Sequence, residues 1–427
     1  MSQKNASISM PQAGDIHWKR SLVLIWLCQC LFQLSFSFGI PFVPFFMQSI
    51  GVTGKELSFW VALFGAGPAL TTVLFSPFWG MMANRYGCKK MLLRCYLGGV
   101  VVLSGIALCT VPHWMIVFRL LQGIVCGSVP VALMLASSLV PADRTGFAMG
   151  VVNSAIFSGL LFGSFFGGIA ADLFGFKNAF LLSGLPSLTA AVIMIFGIKE
   201  HFTPPEQKPI SGNPFSSQWK KMTLNHWQMI LVFPILCILG LVMFGRQFDN
   251  SFLPLFVQQI QGSIHGAATW TGIIAALAGT AGILAGLTAG YLSDKIDPGK
   301  TALIMAGLSA LLLLSIAFTP CMLYLVVMRT LSNFAVDSIE PSLQVWLCGK
   351  VNQTARNIAL AWAQSIRSVG WFIAPLAGGL VVNGFGLRAL FVAAAGIFIT
   401  IMIIIAFTYQ RERKHAMHHQ TQAVDVP

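Results

Sequence analysis

The stretch GMMANR at residues 80–85 decides the fold, because it returns as GYLSDK at residues 290–295. Three further motifs return at nearly the same separation: VFRLL at 117–121 as VMRTL at 327–331, PFFMQ at 44–48 as PLFVQ at 254–258, and Gly167-Gly168 as Gly378-Gly379. The chain therefore reads as one membrane-embedded half that occurs twice. Duplicated halves with matched short motifs are typical of secondary transporters, which predicts a role in moving a solute across a membrane.

The composition is that of a membrane protein. Of the 427 residues, 56% are hydrophobic and 9% are charged, whereas a soluble domain carries about 25% charged residues. Apolar runs long enough to cross a bilayer as helices recur along the chain. We place them at 21–48, 57–82, 91–111, 115–139, 146–170, 178–198, 228–260, 267–292, 301–319, 323–348, 358–382 and 388–410. The predicted fold is an all-α integral membrane protein, with about twelve transmembrane helices in two pseudo-symmetric six-helix bundles.

The basic residues predict the topology. Most of the 26 Lys and Arg residues fall in loops on one side of the predicted spans, and only Lys55, Lys177 and Arg388 fall in loops on the other. By the positive-inside rule, the basic loops and both termini are cytoplasmic. The net charge of +13 then reflects topology and contact with the lipid bilayer, and we expect no nucleic-acid partner. The predicted units are a cytoplasmic segment at 1–20, a six-helix bundle at 21–198, a cytoplasmic linker at 199–227, a second six-helix bundle at 228–410 and a cytoplasmic tail at 411–427.

Three motifs stand at matching places in the predicted helices. The turn after span 2 follows the pattern G-x-x-x-D-R-x-G-R-K through Gly80, Asn84, Arg85, Gly87 and Lys89, and Asp294 and Lys295 supply a second-half copy. Arg119 begins an R-x-x-x-G motif in span 4, and span 5 carries a glycine series that span 11 repeats in part: Gly159, Gly163, Gly167 and Gly168, then Gly378 and Gly379. These motifs resemble those of the major facilitator superfamily, and the resemblance covers the whole chain.

The run SPFWG at 76–80 and Arg94 are similar to the bacterial twelve-helix drug:proton antiporters. This resemblance implies a bacterial inner (plasma) membrane protein that exports small amphiphilic compounds as protons enter. It also implies a cytoplasmic gate at the first motif and close helix packing at the glycines. The chain departs from the pattern at three positions. Asn84 and Cys88 replace an Asp and an Arg, and Ser164 replaces a Pro, so the gate loses two charges and span 5 is expected to bend less.

Seven charged residues fall inside the predicted spans and away from their ends. Each costs roughly 2.5–3.5 kcal/mol at a helix centre, so they are expected to be paired, near an interface or facing a wet cavity. They are Arg119, Arg246, Asp249, Arg329, Asp337, Glu340 and Arg367. Arg246 and Asp249 are three residues apart in span 7, so they share a face of the helix. They are either a substrate or gating pair beside the cavity, or an internal salt bridge that holds span 7.

Asp337 and Glu340 lie one turn apart in span 10. Two carboxylates this close disfavour double ionisation, which suits a proton carrier. We predict that Asp337 and Glu340, together with Asp249, couple protons to transport. The alternative is that one or both pair with Arg329 or Arg367 for packing alone. The first half has no acidic residue inside a span, which places coupling in the second half.

Arg119 and Arg329 occupy equivalent positions of the repeat, so we predict that they face each other across a central cavity. Arg246, Arg367, Gln29 and Gln33 are assigned to the same cavity, and the two glutamines stand where some drug antiporters carry acids. The leading hypothesis is a proton-driven multidrug exporter with alternating access, in which one half rocks against the other.

Two other functions stay open. One is a transporter of a small organic anion, such as a carboxylate metabolite or siderophore, because arginines outnumber acids inside the spans. The other is a receptor or scaffold that keeps the fold without transport. No phosphate-binding G-x-x-x-x-G-K-[ST] motif or nucleophile elbow is present, so we expect no enzymatic activity. We further expect no cofactor and no metal, with a small-molecule substrate, protons and lipid as partners, and a monomer as the working unit.

Overall fold

The computed structural model describes residues 15–125, 127–141, 144–198, 200, 226–351 and 353–424, and within them every regular element is helical. The first half contains Asp15–Gly39 with Ile40–Phe42 and Val43–Ser49 (span 1), Gly54–Tyr86 (span 2), Cys88–Ala107 (span 3), Pro112–Val125 with Ser128–Leu139 (span 4), Thr145–Phe174 (span 5) and Phe176–Gly197 (span 6). The second half contains His226–Phe248 with Asn250–Phe252 and Leu253–Gln261 (span 7), Ala267–Lys295 (span 8), Pro298–Ala317 (span 9), Met322–Gly349 (span 10), Gln353–Phe385 (span 11) and Leu387–Val424 (span 12).

The predicted all-α membrane fold is confirmed. Among the described residues, 11 helical segments are long and apolar enough to cross a membrane. Span 12 continues to Val424, beyond the boundary predicted at 410. The predicted linker at 199–227 falls largely outside the described residues, because 201–225 are not among them.

Spans 1 and 7 are interrupted in the same way. In each, a short 3-10 turn separates two α-helices: Ile40–Phe42 in span 1 and Asn250–Phe252 in span 7. The following helices begin with Pro44 and Pro254 in their first turns. Proline lacks the backbone N–H that would continue the preceding helix, so it favours a fresh start. The repeat therefore preserves a break as well as a sequence motif.

Glycines bring span 5 against span 1 in the first half. A Cβ atom added to Gly159 would lie 2.4 Å from the Cys30 carbonyl oxygen, and one added to Gly163 would lie 2.6 Å from that of Leu34. Real Cβ atoms do not approach backbone this closely, so only glycine permits the contact. The other glycines of the series sit equally close to a neighbouring helix: Gly167 at 2.2 Å from the Phe38 carbonyl oxygen, Gly168 at 2.6 Å from that of Ala268, Gly378 at 2.4 Å from that of Phe248, and Gly379 at 2.8 Å from the Ala62 Cβ.

The two halves meet along spans 5 and 8 and along spans 2 and 11. Among the described residues, the glycines between spans 5 and 8 make close contacts toward one face of the membrane and none toward the other. We call the face at which span 1 begins and span 12 ends the terminal face, and the other the opposite face. Near the opposite face a Cβ on Gly272 would lie 2.4 Å from the Ser164 carbonyl oxygen, and deeper in the seam one on Gly282 would lie 3.6 Å from Phe157. Toward the terminal face, Gly150 and Gly286 have nothing within 4 Å. Within the described residues, spans 5 and 8 therefore separate toward the terminal face.

Candidate functional site

A central cavity of about 450 Å³ lies between the two halves. This volume is within the range of small-molecule sites, about 300–1,000 Å³. Its walls come from both halves and are mostly apolar, with the aromatic rings of Phe64, Phe157 and Trp371 among them. Its charged lining consists of three arginines and one carboxylate: Arg119, Arg246, Arg329 and Asp337.

Arg119 is the charged residue that the first half contributes to the cavity. Its Nε donates a hydrogen bond to the Phe64 carbonyl oxygen at 3.1 Å, and its Nη1 donates to the side-chain oxygen of Gln122. The guanidinium also lies 4.6 Å from the centroid of the Phe64 ring. These contacts orient the cation at the cavity wall, because a cation over a ring face is attracted by the ring quadrupole.

Arg329 of span 10 forms a buried ion pair with Asp249 of span 7. The two side chains are 5% and 2% exposed, so the pair is removed from water. The Nε of Arg329 is buried and makes no hydrogen bond within the described part of the chain. The pair therefore fixes span 7 to span 10.

Arg246 and Asp337 form a second ion pair between spans 7 and 10, with 3.1 Å between Nη2 and Oδ1. This pair differs from the first in exposure, because its side chains are 39% and 13% exposed and both line the cavity. A partly solvated ion pair is easier to open than a buried one, since water can replace each partner.

Glu340 pairs with Arg367 of span 11 at 2.7 Å and also accepts a hydrogen bond from the Gln344 side chain at 2.9 Å. Arg367 in turn donates to the Gln364 side chain at 3.1 Å. Neither Glu340 nor Arg367 lines the central cavity. This pairing is the alternative that the sequence left open for Glu340.

The predicted pairing of Arg246 with Asp249 is wrong. The helix of span 7 ends at Phe248, so Asp249 lies in the turn that follows it and not on the helical face of Arg246. Each residue therefore reaches a different partner on span 10.

The two glutamines of span 1 do not line the central cavity, unlike the prediction. Gln29 is buried and donates a hydrogen bond to the Ser128 hydroxyl at 2.9 Å, which ties span 1 to span 4. Gln33 is half-buried, and its Cβ would lie 2.7 Å from a Cβ on Gly159, at the contact of span 1 with span 5. The faces of span 1 that carry Gln29 and Gln33 therefore pack inside the first half. The sequence alone does not show which face of a helix lines a cavity.

The first-motif turn is held within the first half. Gly87 has a φ of +91° and separates spans 2 and 3. The Lys89 ammonium donates to the carbonyl oxygens of Ile195 and Ile198 at 2.9 and 2.6 Å, at the end of span 6. Glu200 accepts from the backbone N–H groups of Cys88 and Lys89 at 2.9 and 2.8 Å, at the start of span 3. The sequence prediction did not include Glu200, whose role depends on this tertiary contact.

Much of the predicted gate motif cannot be placed. The surroundings of Gly80 and the side chains of Asn84, Arg85 and Asp294 lie outside what the structure describes. Lys295 is exposed at the end of span 8. The gate assignment therefore stays a prediction.

Comparison with known proteins agrees with this architecture. The family model for the Major Facilitator Superfamily matches residues 25–322 and 238–425. The chain is 32% identical to the multidrug resistance protein MdtG of Serratia proteamaculans, over 90% of this chain and 92% of the relative. It is 29% identical to the multi-drug resistance efflux pump PmrA of Streptococcus pneumoniae, over 89% and 94% respectively.

Solved structures show the same fold. A bacterial homolog of the human lysosomal transporter Spinster, in an inward-facing and occupied conformation, aligns with a TM-score of 0.73 at 15% identity, over 93% of this chain and 98% of that one. The human organic anion transporter MFSD10 aligns with a TM-score of 0.65 at 16% identity, over 91% and 99%. At these identities the likeness establishes the fold alone.

Proposed function

Because the chain belongs to the major facilitator superfamily, we propose that it is a proton-coupled exporter of small amphiphilic compounds that works by alternating access. The observation that carries this proposal is the Arg246–Asp337 pair in the wall of the central cavity. It places a carboxylate that can take a proton in the space that a substrate would fill. The names of the relatives as multidrug efflux pumps support the same substrate class.

The shape and lining of the cavity fit an amphiphilic compound that enters from the terminal face. The seam between spans 5 and 8 is open there, and aromatic rings and aliphatic side chains form most of the wall. We propose that both termini are cytoplasmic, that the membrane is the bacterial inner membrane, and that the chain works as a monomer. The terminal face is then the cytoplasmic face, from which an exporter loads its substrate. A reporter protein that is active only in the cytoplasm should therefore be active when it is fused to the C-terminus.

Asp337 is the best candidate for the proton acceptor among the three predicted acids. It lines the cavity, whereas Asp249 is enclosed against Arg329 and Glu340 is held outside the cavity by Arg367. Protonation would remove the charge of Asp337 and release Arg246 from the ion pair. Spans 7 and 10 would then lose one of the two ion pairs that join them among the described residues, which couples proton binding to a change in helix contacts.

The test uses inside-out membrane vesicles with an imposed pH gradient. Lipophilic cations, neutral drugs and polycarboxylates are added in turn, and collapse of the gradient is followed. We expect collapse with cations or neutral drugs in wild type and its loss in Asp337→Asn. Glu340→Gln is the matched control, because it also removes one carboxylate from span 10 but outside the cavity. Collapse that persists in Asp337→Asn would overturn the assignment of the proton site.

A second candidate function is transport of a small organic anion. Among the described residues, three arginines and one carboxylate line the cavity, so its lining carries more positive than negative groups. The guanidinium groups suit the oxygen atoms of a carboxylate. Gradient collapse with polycarboxylates only, lost in Arg119→Gln, would favour this function over drug export.

A further inference from the structure

Gln48 and Gln258 form a reciprocal hydrogen-bonded pair between the two halves. The Gln48 amide nitrogen donates to the Gln258 oxygen at 2.9 Å, and the Gln258 nitrogen donates to the Gln48 oxygen at 3.1 Å. The residues are 210 positions apart and close the repeated motifs PFFMQ and PLFVQ. A pair of equivalent residues that contact each other must lie at the pseudo-two-fold axis between the halves.

This pair separates two cavities. Pro44 and Pro254 line the central cavity, whereas Gln48 and Gln258, four residues further on, line a second pocket of about 430 Å³ at the opposite face. Four helical residues span about 6 Å. The glutamine pair therefore lies in a layer about one helical turn thick that closes the central cavity toward the opposite face.

Asp172 makes a second connection between the halves at the same face. It lies near the end of span 5, and its carboxylate accepts from the Thr269 backbone N–H at 2.8 Å, the Thr269 hydroxyl at 2.5 Å and the Gly266 N–H at 3.3 Å. These donors belong to the start of span 8. A carboxylate at a helix N-terminus is stabilised by the unpaired N–H groups and by the helix dipole. The repeat places the uncharged Asn383 at the equivalent position of span 11.

We propose that Gln48, Gln258 and Asp172 form a gate that holds the opposite face closed while the cavity is open at the terminal face. The proposal rests on the alternating-access function proposed above. All three residues connect one half to the other, so opening at the opposite face must break their bonds. The strength of the gate thus sets how often the cavity faces the opposite side. The glutamine pair carries no ionised group, so it breaks and reforms without moving a proton.

The experiment measures the separation of the halves at the opposite face in purified protein reconstituted into liposomes. Spin labels are placed at Lys177→Cys and Arg388→Cys, which are exposed and lie one in each half, with the exposed Cys321 changed to Ser. Pulsed electron resonance at pH 8 reports the distance distribution between the labels. The short-distance population represents the closed gate, and no substrate is needed.

The decisive variant is Gln48→Glu with Gln258→Glu. It places two carboxylates of nearly unchanged shape against each other, which replaces two hydrogen bonds by repulsion. We expect the long-distance population to rise about tenfold or more, which corresponds to about 1.4 kcal/mol or more. The single variant Gln48→Glu should stay near wild type, because the Gln258 amide still donates to the new carboxylate.

A charge-matched control is Gln48→Glu with Gln259→Glu. Gln259 lines the same outer pocket as the pair and is exposed, so this variant adds the same charge without a carboxylate facing residue 48. It should leave the distance distribution close to that of wild type. An equal shift in both double variants would mean that pocket charge alone opens this face, and the proposal would be wrong.

Asp172 supplies an independent arm if the double glutamate variant fails to fold. Asp172→Ala should also raise the long-distance population several-fold, and Asp172→Asn should raise it less, because the Asn oxygen still accepts from Thr269. Unchanged distances in folded Asp172→Ala and in folded Gln48→Ala would overturn the gate. Vesicle transport is measured in parallel, so a gate that opens without any transport would contradict the proposed function and not the gate.

Discussion

The two halves of the molecule share the same arrangement of helices but differ in their charged side chains and in the partners of those side chains. Arg119 and Arg329 stand at equivalent positions, yet Arg119 binds a backbone carbonyl and Gln122, whereas Arg329 binds the buried carboxylate of Asp249. At the same offset of 210 residues, the second-half residues Arg246, Asp249, Asp337 and Glu340 correspond to Phe36, Gly39, Gly127 and Pro130. None of these four first-half residues can ionise.

The two halves therefore share their arrangement of helices, whereas these four charges belong to the second half. Two ion pairs join span 7 to span 10 and a third joins span 10 to span 11. In the first half, the described part of span 4 consists of two helices, Pro112–Val125 and Ser128–Leu139, and Gly127 belongs to neither, whereas its counterpart, span 10, runs unbroken from Met322 to Gly349. An unbroken helix that carries three of the ionic contacts is suited to transmit a change at Asp337 to its neighbours.

The largest expected effect comes from breaking the buried pair of the charged half. We expect Asp249→Leu to lower the free energy of unfolding by about 3–5 kcal/mol, because the Arg329 guanidinium stays buried without its carboxylate. Tryptophan fluorescence of the purified protein during thermal unfolding in detergent measures the loss. The double variant Asp249→Leu with Arg329→Met should recover most of it, since both buried charges are then removed. A double variant no more stable than the single one would contradict this explanation.

The sequence predicted the positions of the helices well and the ion-pair partners of the second half poorly. The sequence predicts span 6 at 178–198, and the helix is found at Phe176–Gly197. About twenty consecutive apolar residues form a spanning helix because a helix satisfies all their backbone hydrogen bonds within the bilayer. The partner of Arg246 could not be predicted in this way. Helical spacing indicates a shared face only while the helix continues, and span 7 ends at Phe248, just before Asp249.

The glutamine gate shows a different limit. The repeat identified Gln48 and Gln258 as equivalent residues, but equivalence does not imply contact. Contact needs both residues to lie on the axis that relates the halves, and this depends on how the bundles pack. Asp172 is similar, since its donors come from span 8 and are about a hundred residues away in the chain.

An intermediate effect is expected from the glycines that distinguish the halves. Gly163 corresponds to Ala374, which shows that span 11 accommodates a methyl group where span 5 does not. We expect Gly163→Ala to lower the free energy of unfolding by about 1–3 kcal/mol, because its Cβ would lie 2.6 Å from the Leu34 carbonyl oxygen. The matched control is Gly150→Ala in the same helix, where nothing lies within 4 Å. It should be neutral or slightly stabilising, and equal losses in the two variants would exclude overpacking as the cause.

The smallest expected effect concerns the caps of spans 3 and 9, which are equivalent helices. The first half caps span 3 with Glu200, which follows span 6, whereas the second half caps span 9 with Asp297, which accepts from the Gly299 N–H at 2.9 Å. Loss of a helix cap typically costs about 0.5–2 kcal/mol. We expect Glu200→Ala and Asp297→Ala each to lower the free energy of unfolding by an amount in this range.

The two caps should differ in a second property. Glu200 caps span 3 from beyond the end of span 6, so its loss should loosen the end of span 6, whereas Asp297 caps the helix that it precedes and also accepts from the Tyr409 hydroxyl of span 12 at 3.1 Å. Hydrogen exchange of the backbone N–H groups of Cys88 and Lys89 should accelerate in Glu200→Ala and stay unchanged in Asp297→Ala. Equal exchange in both variants would mean that the Lys89 contacts with Ile195 and Ile198 hold this corner without the carboxylate. The two halves would then secure equivalent helices by the carbonyl contacts of a lysine in one case and by an N-cap aspartate in the other.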